Sequence, residues 1–462
     1  MKRRDFNRAS LLSALFAGQL TLKPLHALAE NDGKAASSAR RIPWQNWSGY
    51  QKAKPAARLS PKTEDELAEL LKTSELTVRP VGAGHSFTAL VPTDGSILST
   101  RHFSSVEALD GNRARVGAGV KLGQLAGQLN ELGQALPNMP DINQQTVAGA
   151  FNTGTHGTGA NFGAMHSYVE SLRLVTPRGD ILDCSREQNA DIFDAARVSL
   201  GSLGVITEYT LKNVEPYKLK LRTEMRPIEE VFDNFHELAN NHRNFEMYYI
   251  PHCDYALVIT TDLSDEPVSP RGEDTDNDSV RDLQKLRDYT AWWPGLRRKL
   301  VSSVAAMTEP TESVDWWWNI YPSDRAVRFN EMEYHLPREA IVPALRKVRE
   351  IAETKHPDVF FPVEVRVVQE DDAWLSPFYK RPSASLATHR YYEEDFLPYF
   401  KSIEPIYQPM EGRPHWGKLH TLDAATLAAR YPRWKDFNDI RQSLDPKGVM
   451  LNDHLRKVFT DV

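Results

Sequence analysis

The sequence predicts an α+β protein with two domains, the first of which is completed by the C-terminal end of the chain. Three observations support this prediction. Short β-rich runs alternate with helical runs over residues 43–215, whereas longer amphipathic helices and alternating strands make up residues 216–411. Residues 412–462 are again dense in motifs, as a segment that returns to the first domain would be. A chain of 462 residues is also long enough for two cores.

Individual elements follow from periodicity and turn residues. Residues 62–73 carry leucines at helical spacing and predict a helix. Residues 78–81 predict a strand that enters a glycine loop. Alternation over residues 167–175 and 180–184, on either side of a Pro-Arg-Gly turn, predicts a β-hairpin. In the second domain, residues 262–282 are rich in Asp, Ser, Pro and Gly without periodicity and predict a solvated loop.

The first 29 residues have the features of a targeting segment. The Arg3-Arg4 pair precedes an apolar run, residues 9–22, that is shorter than the about 20 residues of a membrane span. Ala27-Leu28-Ala29 then offers a small-residue cleavage site. The paired arginines resemble a twin-arginine export signal, and an ordinary secretory signal with a basic start is the alternative. We therefore expect residues 1–29 to be removed and the protein to be periplasmic.

Charge and cysteine content exclude several functions. The chain has 56 Lys and Arg residues against 62 Asp and Glu, a net charge of −6, and loss of the basic targeting segment makes the remainder more acidic. Binding of nucleic acid requires the opposite charge, so we expect no such partner. Cys184 and Cys253 are the only cysteines, and no Cys/His spacing indicates a metal site. We expect both thiols to be free and structural.

A glycine-rich loop follows the predicted strand and reads Val81-Gly82-Ala83-Gly84-His85-Ser86. Glycines allow the backbone to turn tightly and to direct N–H groups at an anion such as a pyrophosphate. A nicotinamide-binding loop would need a third glycine before a helix, but Phe87 occupies that position and Pro92 follows soon after. His85 lies at the tip of this loop, either as a polar turn residue or as a functional imidazole.

Two further stretches are rich in glycine and small residues. Residues 146–159 offer many backbone donors, and the candidate cofactor contacts among them are Gly149, Thr153, Gly154, Thr155, His156 and Gly157. Residues 199–207 end in a β-rich run that contains Gly204 and Ile206. His156 has two interpretations of equal weight, as a ligand to a phosphate or as a packing histidine.

Together these stretches resemble the flavin-binding region of FAD enzymes of the vanillyl-alcohol-oxidase type. The resemblance implies a bipartite FAD-binding domain, an α+β substrate-binding cap and FAD as the cofactor. It also implies that residues 81–86 contact the flavin and that His85 carries it covalently through the 8α-methyl group. By the same resemblance, the backbone from Gly204 to Ile206 meets the adenine side.

Later segments narrow the resemblance. Four of them are similar, in order and spacing, to segments of one branch of these enzymes. This branch contains the sugar-1,4-lactone oxidases and dehydrogenases, including arabinonolactone oxidases, and the alditol oxidases. The four segments are residues 330–337, 363–366, 371–377 and 413–418. The similarity covers about residues 43–459, and His415-Trp416-Gly417-Lys418 is its most specific part.

This narrower resemblance implies oxidation of an aldono-1,4-lactone or an alditol by hydride transfer to flavin N5, with O2 reduced to H2O2. One alternative is a dehydrogenase that passes electrons to a quinone or cytochrome. Another is a non-catalytic periplasmic sugar-binding protein, which would not account for the flavin loops.

Four residues are candidates for catalysis. Glu364 and Arg366 lie two apart in a predicted strand, so they share a face and would orient a lactone or polyol; a structural ion pair is the alternative. Lys418 would supply a cation near the flavin N1 and C2 carbonyl, where negative charge develops, unless it is a surface lysine. Thr388 and His389 are adjacent, unlike the histidine and threonine of alditol oxidases, so only one faces the flavin. We favour His389 as the base.

A possible membrane contact completes the predicted partners. Trp292 and Trp293 precede the basic run Arg297-Arg298-Lys299. Aromatic and basic side chains in combination are typical of segments that touch an anionic membrane surface. We treat this contact as a hypothesis.

Overall fold

The structure, a computed structural model, describes residues 42–272, 275–323 and 325–460. The targeting segment predicted for residues 1–29 lies outside them. Among the described residues, none of the helices combines the length and the hydropathy that crossing a bilayer requires.

The first half of the described chain forms three sheets with helices packed on them. In chain order its elements are β1 (Trp44–Gln45), β2 (Lys52–Ala53), β3 (Ala57–Leu59), α1 (Glu64–Thr73), β4 (Val78–Val81), β5 (Ser96–Ser99), β6 (Val106–Leu109), β7 (Arg113–Gly117), α2 (Leu122–Glu131), α3 (Val147–Asn152), β8 (Val169–Val175), β9 (Ile181–Ser185), α4 (Ala190–Ala196) and β10 (Val205–Lys212). Strands β1 and β2 pair antiparallel, β3 and β4 flank β5 in parallel, and the five-stranded antiparallel sheet has the order β6-β7-β10-β8-β9.

The middle of the chain forms one large antiparallel sheet with helices packed against it. Its elements are β11 (Lys218–Pro227), α5 (Ile228–Asp233), α6 (Phe235–Asn241), β12 (Asn244–Tyr249), β13 (Tyr255–Leu263), α7 (Asp276–Thr290), α8 (Pro294–Ala306), β14 (Thr311–Trp316), β15 (Phe329–Pro337), α9 (Ile341–Lys355), β16 (Val363–Val368), β17 (Ser383–Tyr391) and α10 (Leu397–Tyr407).

The last segment joins both halves. It contains β18 (Arg413–Pro414), α11 (Ala424–Arg430), α12 (Trp434–Leu444) and α13 (Asp453–Phe459). Strand β18 is the edge of the large sheet, whose order is β14-β11-β13-β12-β16-β17-β15-β18. Side chains of the following helices, among them Phe437 and Phe459, lie in the same core as strands β7, β8 and β10.

The predicted local elements agree with the structure in most places. Helix α1 begins at an N-cap, Thr63, whose hydroxyl accepts a hydrogen bond from the Glu66 N–H, and β8 pairs with β9 as the predicted hairpin. The loop predicted for residues 262–282 is wrong at its C-terminal end, because residues 276–282 begin α7. The acidic residues that suggested a solvated loop are instead the exposed first turns of that helix. The two cysteines are free and buried, as expected.

The two faces of the large sheet differ in composition along strands β12, β15, β16 and β17. One face carries apolar residues of β12, β15, β16 and β17, such as Met247 and Val365, which share a core with α5, α6, α9 and α10. The pairing register places a set of polar residues together on the opposite face: Glu246, Tyr248, Glu331, Glu333, His335, Glu364, Arg366, Ser385 and His389. Because side chains alternate along a strand, each of these strands is apolar on one side and polar on the other.

The surface proposed for membrane contact has exposed tryptophans but few free cations. The Trp292 and Trp293 side chains are 76% and 52% exposed, at the junction of α7 and α8. Arg297, in contrast, is buried and donates to the Pro357 carbonyl, and Arg298 pairs with Asp254 and Glu353. Two of the three predicted cations are therefore engaged with other groups of the protein, and membrane contact stays a prediction.

Candidate active site

A long cleft lies where the three glycine-rich stretches meet. The space between its walls, counted together with open solvent at its mouth, is about 900 Å³. Among the predicted cofactor contacts, its lining includes Val81, Gly82, Ala83, Gly84, His85, Ser86, Gly149, Thr153, Gly204 and Ile206. Loops from β4, from the segment around α3 and from the start of β10 therefore converge on one site, although they are far apart in sequence.

Glycine is required at particular points of this cleft. A Cβ at Gly82 would collide with the Thr146 hydroxyl, and a Cβ at Gly204 would collide with the Val175 carbonyl. Gly204 also has a φ of +143°, a backbone conformation that other residues rarely adopt. The chain therefore passes close to itself at both positions, and the cleft keeps its width because no side chain is present.

The residues of the cleft fit a bound dinucleotide such as FAD. Among the described residues, the backbone N–H groups of residues 83–86 have no acceptor within the protein, so they can serve the oxygens of a pyrophosphate. The Gln145 side chain lines the cleft, and its Oε1 is buried without a donor. A buried acceptor of this kind costs free energy unless a ligand or water satisfies it. Donors and an orphaned acceptor are thus present together along one cleft.

His85 lies at the cleft in a state suited to nucleophilic chemistry. Burial, together with the charges of Lys418 and Lys121, lowers the pKa of His85 to about 4. The imidazole is therefore neutral near pH 7 and keeps a lone pair on one nitrogen. Its ring stacks on Trp47 with centroids 5.8 Å apart, which fixes its orientation.

The remaining predicted cofactor contacts lie behind the cleft. Gly154, Thr155, His156 and Gly157 are buried but do not line it. His156 Nε2 lies 2.9 Å from Glu333 Oε1, and its Nδ1 lies 2.7 Å from the Gly157 carbonyl. Both ring nitrogens are thus engaged within the protein, as the packing interpretation of this histidine requires. Burial alone would raise the pKa of Glu333, but His156 beside it holds that pKa well below its usual value.

Glu364 and Arg366 face the same side of β16, within a network of acids. Arg366 contacts Glu364, Asp141 and, at 2.8 Å, Glu246. Tyr248 donates to Glu364 at 2.7 Å. Burial opposes the charge of Arg366, yet the surrounding carboxylates hold its pKa well above the usual value. The pair is therefore preorganised and largely buried, with side chains 12% and 13% exposed, and it does not lie on a solvent face.

Glu246 is the weakest acid of this network. Burial, and then the negative charge of Asp141, raises its pKa to about 8, although Arg366 acts in the opposite direction. Burial acts in the same direction on Glu364, but Arg366 and His389 keep the pKa of Glu364 below its usual value. One carboxyl of the network is thus protonated at neutral pH, and another is ionised.

His389 lies on the polar face of the sheet, with Thr388 on the opposite face. His389 groups with Glu331 and Glu364, so that one ligating atom from each lies within 4.8 Å of the others. The Thr388 side chain is fully buried and donates to the Met332 carbonyl at 3.1 Å. Of the two neighbours, only His389 therefore shares a face with Glu364 and Arg366.

Lys418 connects the polar face to the glycine loop. Its ammonium pairs with Glu331 and lies 4.0 Å from Glu333 and 5.1 Å above the Phe87 ring. The loop before it is fixed to the first domain, because Phe87 N–H donates to the Gly417 carbonyl at 2.7 Å. The side chain is only 21% exposed, so this is not a surface lysine.

Aromatic contacts join the cleft to the polar face. Trp47 stacks on His85 and meets Phe329 edge to face at 5.1 Å. Phe329 in turn meets the His389 ring at 4.8 Å and stacks on Phe87 at 5.8 Å. The glycine loop and the candidate base are therefore parts of a single site.

Sequence reasoning missed several members of this site. The position of Glu331 on a polar strand face could have been predicted, because residues 330–337 alternate polar and apolar side chains as a strand with one polar and one apolar face does. Asp141, Glu246 and Trp47 come from distant segments, and only the tertiary fold brings them to Arg366 and His85.

Comparisons with known proteins agree with this geometry. The profile of the D-arabinono-1,4-lactone oxidase family matches residues 209–458, and that of an FAD binding domain matches residues 55–185. L-gulono-1,4-lactone dehydrogenase of Mycobacterium tuberculosis strain H37Rv is 36% identical over 429 residues, which cover 90% of this chain and 99% of that protein. Alditol oxidase of Streptomyces sp. is 31% identical over 438 residues, and L-gulonolactone oxidase of Bos taurus is 30% identical over 435; each covers 90% of this chain and 98% of the relative.

Among solved structures, cholesterol oxidase of Brevibacterium sterolicum superposes with a TM-score of 0.73 at 16% identity. The match covers 90% of this chain and 96% of that chain. At this identity the likeness shows a common fold and no more.

Proposed function

This chain belongs to the D-arabinono-1,4-lactone oxidase family, and on that premise we propose that it oxidises a hydroxyl group of an aldono-1,4-lactone. It is an FAD-dependent oxidoreductase, which removes the non-catalytic sugar-binding alternative. The observation that carries the proposal is the largely buried Glu364–Arg366 pair on the same sheet face as His389, close to the Lys418 ammonium that pairs with Glu331.

The residues of the cleft would hold FAD, which when bound accepts the hydride of the oxidised carbon. Glu364 and Arg366 would bind hydroxyl or carbonyl oxygens of the lactone through charge-assisted hydrogen bonds. His389 would take the hydroxyl proton on its Nε2. Lys418, a preorganised cation close to the His85 loop, would stabilise the negative charge that develops as the cofactor is reduced. The aromatic side chains of Trp47, Phe87 and Phe329 would limit the access of water to the reacting groups.

The electron acceptor and the class of sugar are separate parts of the proposal. We propose O2 as the acceptor, with H2O2 as product. A dehydrogenase that uses a quinone or cytochrome is the second candidate, favoured by the activity for which the mycobacterial relative is named. An alditol is the second candidate substrate, favoured by the name of the Streptomyces relative.

Anaerobic bleaching of the flavin tests both parts in one cuvette. Gulono-, galactono- and arabinono-1,4-lactone should each be tried against a panel of alditols, and air admitted afterwards. Bleaching by a lactone supports the proposal, bleaching by alditols alone contradicts the lactone assignment, and no bleaching by either overturns it. Fast return of colour indicates an oxidase, and slow return indicates a dehydrogenase. A Glu364→Gln variant that is loaded with FAD but is not bleached is the matched control.

We further propose that His85 carries the flavin covalently and that the protein is exported through the twin-arginine route. The neutral imidazole at the cleft supports the first proposal. The Arg3-Arg4 pair before an apolar run supports the second. Replacing both arginines with lysine keeps the charge and should retain the protein in the cytoplasm; unchanged periplasmic recovery would contradict that route.

Contact of Trp292 and Trp293 with a membrane surface is the remaining proposal, supported by the exposure of both indoles. Failure of the purified protein to sediment with vesicles, anionic or zwitterionic, would dispose of it.

A further inference from the structure

Glu331 occupies a central place among the charged groups of the site. It lies on β15 with a side chain that is only 4% exposed. Its Oε2 pairs with the Lys418 ammonium, and its Oε1 lies 3.6 Å from His389 Nε2. Its own carbonyl accepts a hydrogen bond of 2.9 Å from the Leu419 N–H, which fixes the C-terminal segment against the strand. One carboxylate is therefore held between the candidate base and the candidate cation.

The hydrogen bonding of His389 determines which nitrogen can act as a base. His389 Nδ1 lies 3.0 Å from the Pro362 carbonyl. A carbonyl oxygen only accepts, so Nδ1 carries the hydrogen and the neutral ring has its lone pair on Nε2. This nitrogen is the one that lies nearest the Glu331 carboxylate.

We propose that Glu331 is a positioning residue for the oxidation, whose carboxylate stabilises the protonated form of His389 and balances the charge of Lys418. The inference rests on the proposed function, since it takes His389 as the base. It goes beyond that function because it assigns Glu331 a double role: the same carboxylate acts on the proton acceptor and on the cation.

The charge balance of the reaction explains why a carboxylate is useful here. As the substrate alcohol becomes a carbonyl, the C–H hydrogen leaves with its electron pair to the bound flavin, and the O–H proton moves to His389 Nε2. The resulting imidazolium is 3.6 Å from Glu331 Oε1, an attractive contact in a buried site. Among the residues that the structure describes, Glu364 on β16 also groups with His389, and Lys418 pairs with Glu331. Both neighbouring carboxylates thus favour transfer of the proton to His389.

The variant Glu331→Gln keeps the size of the side chain and removes its charge. In stopped-flow reduction of the FAD-loaded enzyme by a lactone, the acid limb of the rate–pH profile should move down by about one pH unit or more, because the carboxylate 3.6 Å from His389 Nε2 no longer stabilises the protonated ring. The limiting rate should fall about tenfold or more, with a smaller change in KM. The midpoint potential of the flavin should become more positive, because the positive charge of Lys418 is no longer balanced.

Glu333→Gln is the matched control, since Glu333 lies on the same strand and face but bonds to His156 instead of His389. The acid limb of the rate–pH profile of Glu333→Gln should lie at the same pH as in the wild type. Should Glu331→Gln fail to load FAD, the comparison of Lys418→Met with Lys418→Met/Glu331→Gln replaces it, because the double variant leaves neither charge unpaired. The acid limb of the rate–pH profile should then lie at lower pH in the double variant than in Lys418→Met.

An unchanged acid limb in a folded, FAD-loaded Glu331→Gln protein overturns the role toward His389, and an unchanged midpoint potential overturns the role toward Lys418. The potential is measured by chemical reduction and needs no substrate. If no lactone or alditol reduces the wild type, the proposed function fails, and the potential still decides whether Glu331 balances Lys418.

Discussion

In the cofactor cleft the chain presents backbone and small side chains, whereas on the large sheet it presents charged side chains that hold one another. The cleft is formed by residues such as Gly82 and Gly204, at which any Cβ would collide with a neighbouring segment. The polar sheet face is formed by residues such as Arg366, which contacts three carboxylates at once. The cleft is therefore sensitive to added volume, and the sheet face is sensitive to lost charge.

The largest expected effect is the loss of covalent flavin in His85→Ala. The neutral imidazole at the cleft is the only predicted attachment point, so yellow colour should no longer stay with acid-precipitated protein. FAD should still bind reversibly, because the backbone donors of the loop are unchanged. His102→Ala, an exposed histidine in the same part of the chain, is the control and should keep the bound colour. Retention of colour in the His85 variant would refute the assignment.

Removing the cation is the largest change on the sheet side. Lys418→Met should slow reduction of the flavin by substrate roughly 100-fold, the usual loss when a group that stabilises developing charge is deleted. FAD content should change little, because Lys418 does not line the cleft. Stopped-flow reduction and the absorbance ratio of flavin to protein measure the two quantities. Lys435→Met, in which the lost side chain is 84% exposed, controls for the substitution. Equal reduction rates in both variants would contradict a catalytic Lys418.

The same contrast explains how much the sequence could predict. The sequence could predict the cleft because its residues are close together in the chain. Gly82, Gly84 and His85 lie in one loop, which follows a strand that the sequence also predicts. The pairing of Glu364 with Arg366 followed from alternation along one strand.

The rest of the sheet face depends on register between strands. Glu246 meets Arg366 because β12 pairs with β16, and Glu331 meets His389 because β15 pairs with β17. A shift of one residue would turn each of these side chains to the apolar face. Sequence alone does not encode that register visibly, so the network around Arg366 and the contacts of Glu331 could not be predicted.

A test of volume in the cleft uses Gly82→Ala. The added methyl group would collide with the Thr146 hydroxyl, so either the loop or the N-terminus of α3 must shift. Overpacking of this kind costs about 1–3 kcal/mol, which should appear as a loss of bound FAD of about tenfold or more. Gly127→Ala is the matched control, because it lies in helix α2 with open space around its Cα. If both variants incorporate the same ratio of flavin to protein during expression, the cleft does not depend on this close approach.

The smallest effect concerns charge burial on the sheet face and is visible as a dependence of stability on pH. The unfolded chain ionises Glu246 near pH 4.5, whereas the folded protein keeps it protonated until about pH 8. Between these values the unfolded state loses a proton that the folded state retains, so this group's contribution to stability is full below pH 4.5 and is lost as the pH rises to 8.

Glu246→Gln mimics the protonated form and should make the free energy of unfolding higher than that of the wild type at pH 8, on the order of 2 kcal/mol, with a smaller difference at pH 5. Urea unfolding at both values measures this, and Glu237→Gln, on the exposed side of α6, should leave the slope unchanged. If the free energy of unfolding of Glu246→Gln depends on pH as that of the wild type does, Arg366 keeps all three carboxylates ionised. The sheet face would then present more negative charge to the substrate than this structure implies.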